Sequence, residues 1–121
     1  NIGPTDLFGM RLALSRDGSI LAAGAPGQSG SGRGFKANPE ELKVPESGAV
    51  YLFVRNGGRW TQQAYIKAPN ADEFDQFGSG VALSADGATM AVGANGEDSG
   101  SGIDGNQNDN SLRDSGAVFI F

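Results

Sequence analysis

The residues best suited to chemistry lie in one acidic stretch, EDSGSGIDGNQNDNSLRD, at positions 97–114. Within it Asp104, Asn106 and Asn108 fall at alternate positions, and Asp109 and Asn110 follow directly. Calcium takes roughly six to eight hard oxygens, and alternating Asp and Asn in a glycine-bearing loop can turn several of them toward one centre. The pattern departs from an EF-hand loop in two places. Asp109 stands where the sharp turn wants glycine, and Ser115 stands where a bidentate Glu would close the shell. Glu97, Asp98 or Asp114 can supply the missing charge only if the loop folds back. Asp, Asn and Gly are also ordinary turn residues. The stretch therefore reads either as a calcium loop or as a plain polar one, and calcium is the sole cofactor it suggests.

Two further groupings invite weaker chemistry. Asp72, Glu73 and Asp75 gather in NADEFDQFG, residues 70–78. Paired carboxylates serve glycoside hydrolysis, but no base or nucleophile accompanies them, and three acids in a connecting segment read equally as solvated surface. Trp60 with Tyr65 offers either a sugar-stacking platform or ordinary strand packing. The chain contains no His and no Cys, which removes disulfides, thiolate metal sites, cysteine nucleophiles and every histidine-based acid–base or triad mechanism. Net charge is −5 and unevenly spread: residues 1–59 carry seven basic and five acidic groups, residues 60–121 two and nine. An acidic half disfavours nucleic acid and anionic membranes and favours cations or basic partners. No apolar run approaches the ~18 residues that would cross a bilayer.

The elements that must position these residues come from an internal repeat. FGMRLALSRDGSILAAGAPG (8–27) aligns with FGSGVALSADGATMAVGANG (77–96) at an offset of 69, with eleven of twenty positions identical. After a long divergent loop, SGAVYLF (47–53) meets SGAVFIF (115–121) at an offset of 68. In each unit, strand A starts at Phe8 or Phe77 and alternates larger apolar with small or polar residues. Asp-Gly then predicts a tight hairpin with glycine at positive φ. Strand B (ILAAGA or TMAVGA) and strand C (AVYLFV or AVFIF) are apolar on both faces and need cover on both. RWTQQAYIKA (59–68) is more polar and fits an outer strand D. In the loop after the first strand B, Asn38 and Pro39 open NPEEL, which reads as a single helical turn. The two long loops, one basic and one acidic, emerge at corresponding places. They either meet each other or stay independent.

Four-stranded units repeated every 60–70 residues and apolar on both faces are the sequence form of β-propeller blades. At Phe8-Gly9 with Gly24-Ala25-Pro26, and at Phe77-Gly78 with Gly93-Ala94-Asn95, the chain resembles the FG-GAP repeat family. Integrin α-subunit propellers and many bacterial secreted proteins belong to that family. The resemblance implies propeller blades, an extracellular or cell-surface location, and adhesion or scaffolding rather than catalysis. Many members bind calcium in an Asp-rich loop between strands A and B. The loops SRDGS and SADGA hold one carboxylate each and do not carry that role over.

The fold expected is all-β: two consecutive blades, residues 1–68 with strands A to D and residues 69–121 with strands A to C, a small β-sandwich being the alternative. The function expected is a non-catalytic extracellular module that assembles by blade or strand packing; a calcium-dependent or carbohydrate-binding lectin-like module is the alternative. Strand C of the second unit would expose an apolar edge, which soluble proteins avoid. Gly116, Ala117, Val118, Phe119, Ile120 and Phe121 are therefore expected to pair with a strand from another copy or from the remainder of a longer propeller chain. A protein or glycan ligand fits the loops; nucleic acid and membrane insertion do not.

Overall fold

The computed structural model describes residues 3–31, 34, 38–42, 44–99 and 106–121, with backbone alone for 38–42. Among the described residues nine strands follow one another: β1 (Arg11–Leu14), β2 (Ile20–Ala25), β3 (Gly30–Ser31), β4 (Asn38–Leu42), β5 (Ala49–Asn56), β6 (Arg59–Ile66), β7 (Phe77–Leu83), β8 (Met90–Ala94) and β9 (Ala117–Ile120). They form a four-stranded sheet β1-β2-β5-β6, a three-stranded sheet β7-β8-β9 and a short ribbon β3-β4. Every strand pair is antiparallel.

The two hairpins share the same hydrogen bonds apart from one made by the Ser19 hydroxyl. Asp17 Oδ1 accepts the Ser19 amide at 3.0 Å and the Ser15 and Ser19 hydroxyls at 2.7 Å each. Asp86 Oδ1 accepts the Ser84 hydroxyl at 2.6 Å and the Ala88 amide at 3.0 Å. Gly18 and Gly87 take φ of 67° and 72°, a region open to glycine at little cost. Hydrogen bonds from the Ser19 amide and the two hydroxyls favour the ionised form and hold the Asp17 carboxyl at about 2. The Ser84 hydroxyl leads the same effect at Asp86.

Two expectations are corrected. NPEEL is not a helical turn: its backbone is strand β4, with Gly30 opposite Leu42 and Ser31 opposite Asn38 around a bulge. Five residues make too few helical hydrogen bonds to stand alone, whereas an adjacent strand satisfies the backbone. Strand A of the first unit begins at Arg11 rather than Phe8. Leu7 takes φ of 55° and accepts the Met10 amide at 3.0 Å, so Leu7-Phe8-Gly9 turns before pairing starts.

Each sheet has two non-equivalent apolar faces. The first sheet turns Ala22, Val50, Leu52, Ala64 and Ile66 toward the second, which answers with Phe77, Val81, Leu83, Met90, Val92, Ala94 and Phe119. Phe77 packs edge-on against Phe119 and Phe121, with ring centroids 5.6 and 6.0 Å apart. On its other face the first sheet gathers Ala25, Ala49, Tyr51, Tyr65 and Phe53, with Phe8 edge-on to Tyr51 at 5.2 Å. A two-sheet sandwich would keep its outer faces polar. Here both outer faces stay apolar and exposed, at Leu12 and Leu14 on one and Val118 and Ile120 on the other. The sheets are propeller-type blades.

Phe77 is fully buried and its repeat counterpart Phe8 is 37% exposed. Phe77→Ala should therefore cost about 3–5 kcal/mol of stability. Phe8→Ala, losing mainly edge-on ring contacts, should cost only about 1 kcal/mol. Denaturant unfolding of the two variants checks the ratio.

Candidate blade-docking interface

The sheets meet most closely where the second begins. The amides of Phe74, Gln76 and Phe77 donate to the carbonyls of Pro45, Glu46 and Ser47 at 2.9, 3.0 and 3.0 Å. Gly48 and Phe77 pair as an isolated parallel bridge. Side chains are excluded from this contact: a Cβ on Gly24 would lie 2.2 Å from the Gly78 carbonyl oxygen, and one on Gly48 2.1 Å from that of Phe77. At the far end of the sheets, the Arg16 amide donates to the Ala85 carbonyl at 2.8 Å.

The segment that aims Phe-Gly is built from the repeat. Asp6 Oδ2 accepts the Gly3 amide and Asp75 Oδ2 accepts the Asp72 amide, both at 2.7 Å. Leu7 and Gln76, next in each chain, take φ of 55° and 56°. A left-handed non-glycine residue costs roughly 1–2 kcal/mol, so the same strain is held twice, each time one residue before Phe-Gly. Asp75, expected among solvated acids, is instead 2% exposed. Burial pushes its carboxyl up to about 7, assisted by the charges of Glu97, Asp72 and Asp98 and opposed by the Asp72 amide.

A buried lysine braces the receiving side. Lys67 has no exposed surface, and its Nζ donates to Ser47 Oγ at 2.6 Å and to the Gly48 carbonyl at 2.7 Å. Burial lowers its ammonium to about 8, against the charges of Asp75 and Asp6, which favour the protonated form. Its backbone exchanges hydrogen bonds with Gly34, so the first long loop covers β6 at that point. Tyr65, two residues earlier, donates its hydroxyl to buried Gln28 at 2.6 Å.

The second sheet carries the same receiving surface, with no occupant among the described residues. A groove of about 500 Å³ is lined by Gly93, Ala94, Ser115, Gly116, Ala117 and Val118, among others. These are the repeat counterparts of Gly24, Ala25, Ser47, Gly48, Ala49 and Val50, the residues around Phe77-Gly78. The complementary part lies across the molecule: Phe8 is partly exposed, and a Cβ on Gly9 would meet nothing within 4 Å.

Of the acidic stretch, residues 97–99 and 106–114 lie within the described residues. Asp104 lies outside the described residues. Asn106 Oδ1 accepts the Asn108 amide at 3.1 Å, Asp109 donates its amide to the Asn106 carbonyl at 3.0 Å, and Asn110 Nδ2 donates to Asp72 Oδ2 at 3.0 Å. No group of three acidic residues that could hold a metal occurs among the described residues. Asn70 Nδ2 donates to Glu97 Oε2 at 3.1 Å and to the Gln107 carbonyl at 2.7 Å. Asn70 Oδ1 is buried without a partner among the described residues. Trp60 is exposed beside the Arg55 guanidinium and Tyr65 is buried, so the two rings share no platform. Of residues 116–121, Phe119 is buried between the sheets, Phe121 packs on Phe77, and Val118 and Ile120 face outward. Residue types alone did not mark Lys67 or Asn70, and they marked Glu97 only as a spare charge for the acidic stretch. Asp75 was signalled by the repeat, since Asp6 holds the same phase.

A family model for the FG-GAP repeat matches residues 60–121, which is 62 of the 121 residues. The chain belongs to the FG-GAP repeat family. The matched FG-GAP span runs from β6 to β9, so it includes the outer strand of one blade, three strands of the next, and the seated Phe77-Gly78 between them. No curated protein and no solved structure matches the chain. Among the described residues, no helix is long and apolar enough to cross a membrane.

Two outcomes follow for the FG-GAP contact. Gly24→Ala should destabilise the chain by about 2 kcal/mol or more, since a backbone oxygen must move. Gly93→Ala, whose Cβ would lie 3.5 Å from its nearest neighbour, should stay within about 0.5 kcal/mol by the same denaturant melts. For Asp75, a folded pKa near 7 above an ordinary value of 3.8 means the native state holds the extra proton between those limits. Its contribution is thus present below pH 4 and lost as pH rises through 7. Asp75→Asn should flatten the fall in melting temperature between pH 4 and 7.

Proposed function

We propose that the chain is a non-catalytic extracellular interaction module of an adhesive or surface-assembled protein, and that it works by docking blade upon blade. The observation that carries this is the empty groove on β8 and β9, which repeats the groove that Phe77-Gly78 fills on the first sheet. The occupant is a further FG-GAP blade, supplied by a second copy or by the remainder of a longer propeller chain. The exposed apolar residues fit the same arrangement. Val118 and Ile120 are 70% and 67% exposed, while their counterparts Val50 and Leu52 lie against the second sheet. Leu12 and Leu14 are 61% and 57% exposed, while their counterparts Val81 and Leu83 pack against the first. The contact is head-to-tail, so it can propagate or close into a ring. Membership of the FG-GAP family supports the extracellular setting. The stretch 104–110 supports calcium by composition alone, and the glycan-binding alternative rests on loop character alone.

Sedimentation velocity over a concentration series tests the docking. The wild-type chain should form higher-mass species as concentration rises. Gly93→Trp, which fills the groove, should remain monomeric, and Trp60→Ala should associate like wild type. A wild-type chain monomeric at every concentration, or a Gly93→Trp chain that still associates, would contradict the proposal.

A further inference from the structure

Resting on the blade-docking reading, we propose that the strand completing the second sheet along β9 is selected by a tyrosine and, two residues later, a lysine that enters a buried acidic pocket behind Ser115 and Gly116. The partner is an antiparallel strand of a further FG-GAP blade with that pattern.

The first sheet shows the device occupied. β6 pairs with β5 so that Tyr65 lies opposite Tyr51 and Ile66 opposite Val50. Beyond this register Lys67 turns inward, and its Nζ donates to Ser47 Oγ and the Gly48 carbonyl. Tyr65 reaches Gln28. Through Ser47 and Gly48 the lysine fixes the two residues on which Phe77 sits. The strand thus supplies both an edge and the donor that shapes the groove for the next blade.

The second sheet holds the matching acceptors. Ser115 and Gly116 take the places of Ser47 and Gly48, and β9 pairs with β8 on one side only among the described residues. The Ser115 hydroxyl donates to the Glu97 and Ser99 carbonyls, which leaves its oxygen free to accept. The Gly116 amide donates to the Glu97 carbonyl at 2.8 Å, as Gly48 does to Gln28 at 2.9 Å, so the backbone is set in the same way.

Charge at this place is larger than in the first sheet. Glu97, 1% exposed, stands where Gln28 stands, adding a negative charge where the first sheet has a neutral amide. Asp75, 2% exposed, takes the place of Asp6 in the repeat, and it lies between the two sites, since its charge acts on Lys67 as that of Asp6 does. Asp72 and Asp98 act on Asp75 from nearby, and the orphaned Asn70 Oδ1 lies beside Glu97. A buried charge without a counter-charge is costly, and an entering ammonium relieves these carboxylates together. The same acids disfavour a strand with an acidic or apolar residue at that position, which gives selectivity as well as attraction. The outward-facing Val118 would lie opposite the residue between tyrosine and lysine.

The test uses the full chain and a fluorescently labelled peptide with the sequence of residues 58–69, followed by anisotropy, with amide shifts locating the site. The peptide should bind along residues 116–121. Replacing its lysine, Lys67→Met, should weaken binding at least tenfold. Exchanging Gln63 and Lys67 keeps composition and charge and should weaken it as much, which separates the pocket from general attraction to an acidic protein. Equal affinity for all three peptides would overturn the lysine rule while leaving strand addition standing. Failure of every peptide to bind, or binding away from 116–121, would overturn strand addition and the lysine rule together.

Discussion

Two backbones approach so closely at Phe77-Gly78 that no side chain fits between them, and most of the molecule is arranged around that contact. Glycine at positions 24, 48 and 78 is required by space. With the backbones in contact, the Ser47 carbonyl accepts the Phe77 amide and the Phe77 ring swings between the sheets to meet Phe119 and Phe121. Because the ring is fully buried, the contact couples hydrogen bonding to apolar burial. Neither sheet has a sealed core of its own, so each depends on the other for cover. This is why the inner faces are dominated by alanine, valine and phenylalanine while the polar work is done at the rims.

The rims carry an unusual load of buried polar groups. Lys67, Asp75, Asn70 and Glu97 are all at least 96% buried, and each is placed by a loop rather than by a sheet face. Burial of charge is favourable only where hydrogen bonds and counter-charges compensate. On the first sheet they do: Lys67 has two oxygen acceptors and two carboxylates within electrostatic reach. On the second, Asp75 is shared with Lys67, and Glu97 stands where the first sheet has the neutral Gln28. Burial raises the proton affinity of Asp75, and the buried Asn70 oxygen has no partner among the described residues.

The repeat in the sequence made most of the fold legible. Aligning 8–27 with 77–96 located both Asp-Gly hairpins and strands A and B, and the AVYLF and AVFIF echoes placed strand C. Local chemistry sufficed there, since Asp17 and Asp86 cap their own turns within two residues. Where the structure departs from that pattern, distant contacts decide. NPEEL takes a strand conformation because Gly30-Ser31 lies alongside it. Strand A of the first unit starts late because Leu7 turns, a conformation that residue type disfavours. The docking contact was half visible: Phe-Gly and Gly-Ala marked the positions, but the fit of one to the other exists only once two sheets are stacked. Lys67 was unreadable for the same reason, since a lysine in a polar outer strand looks solvated until the loop at Gly34 and the Asp75 turn close around it.

The central claim is that the outer faces of the blade pair are complementary in the same way as its inner faces. Amide hydrogen exchange, measured on the full chain across a concentration series, tests it most directly. The account predicts that protection rises with concentration at residues 8–14 and at residues 116–121 together, while the hairpins at Asp17 and Asp86 keep their exchange rates. Equal and rapid exchange of 8–14 and 116–121 at the lowest and highest concentrations would contradict it.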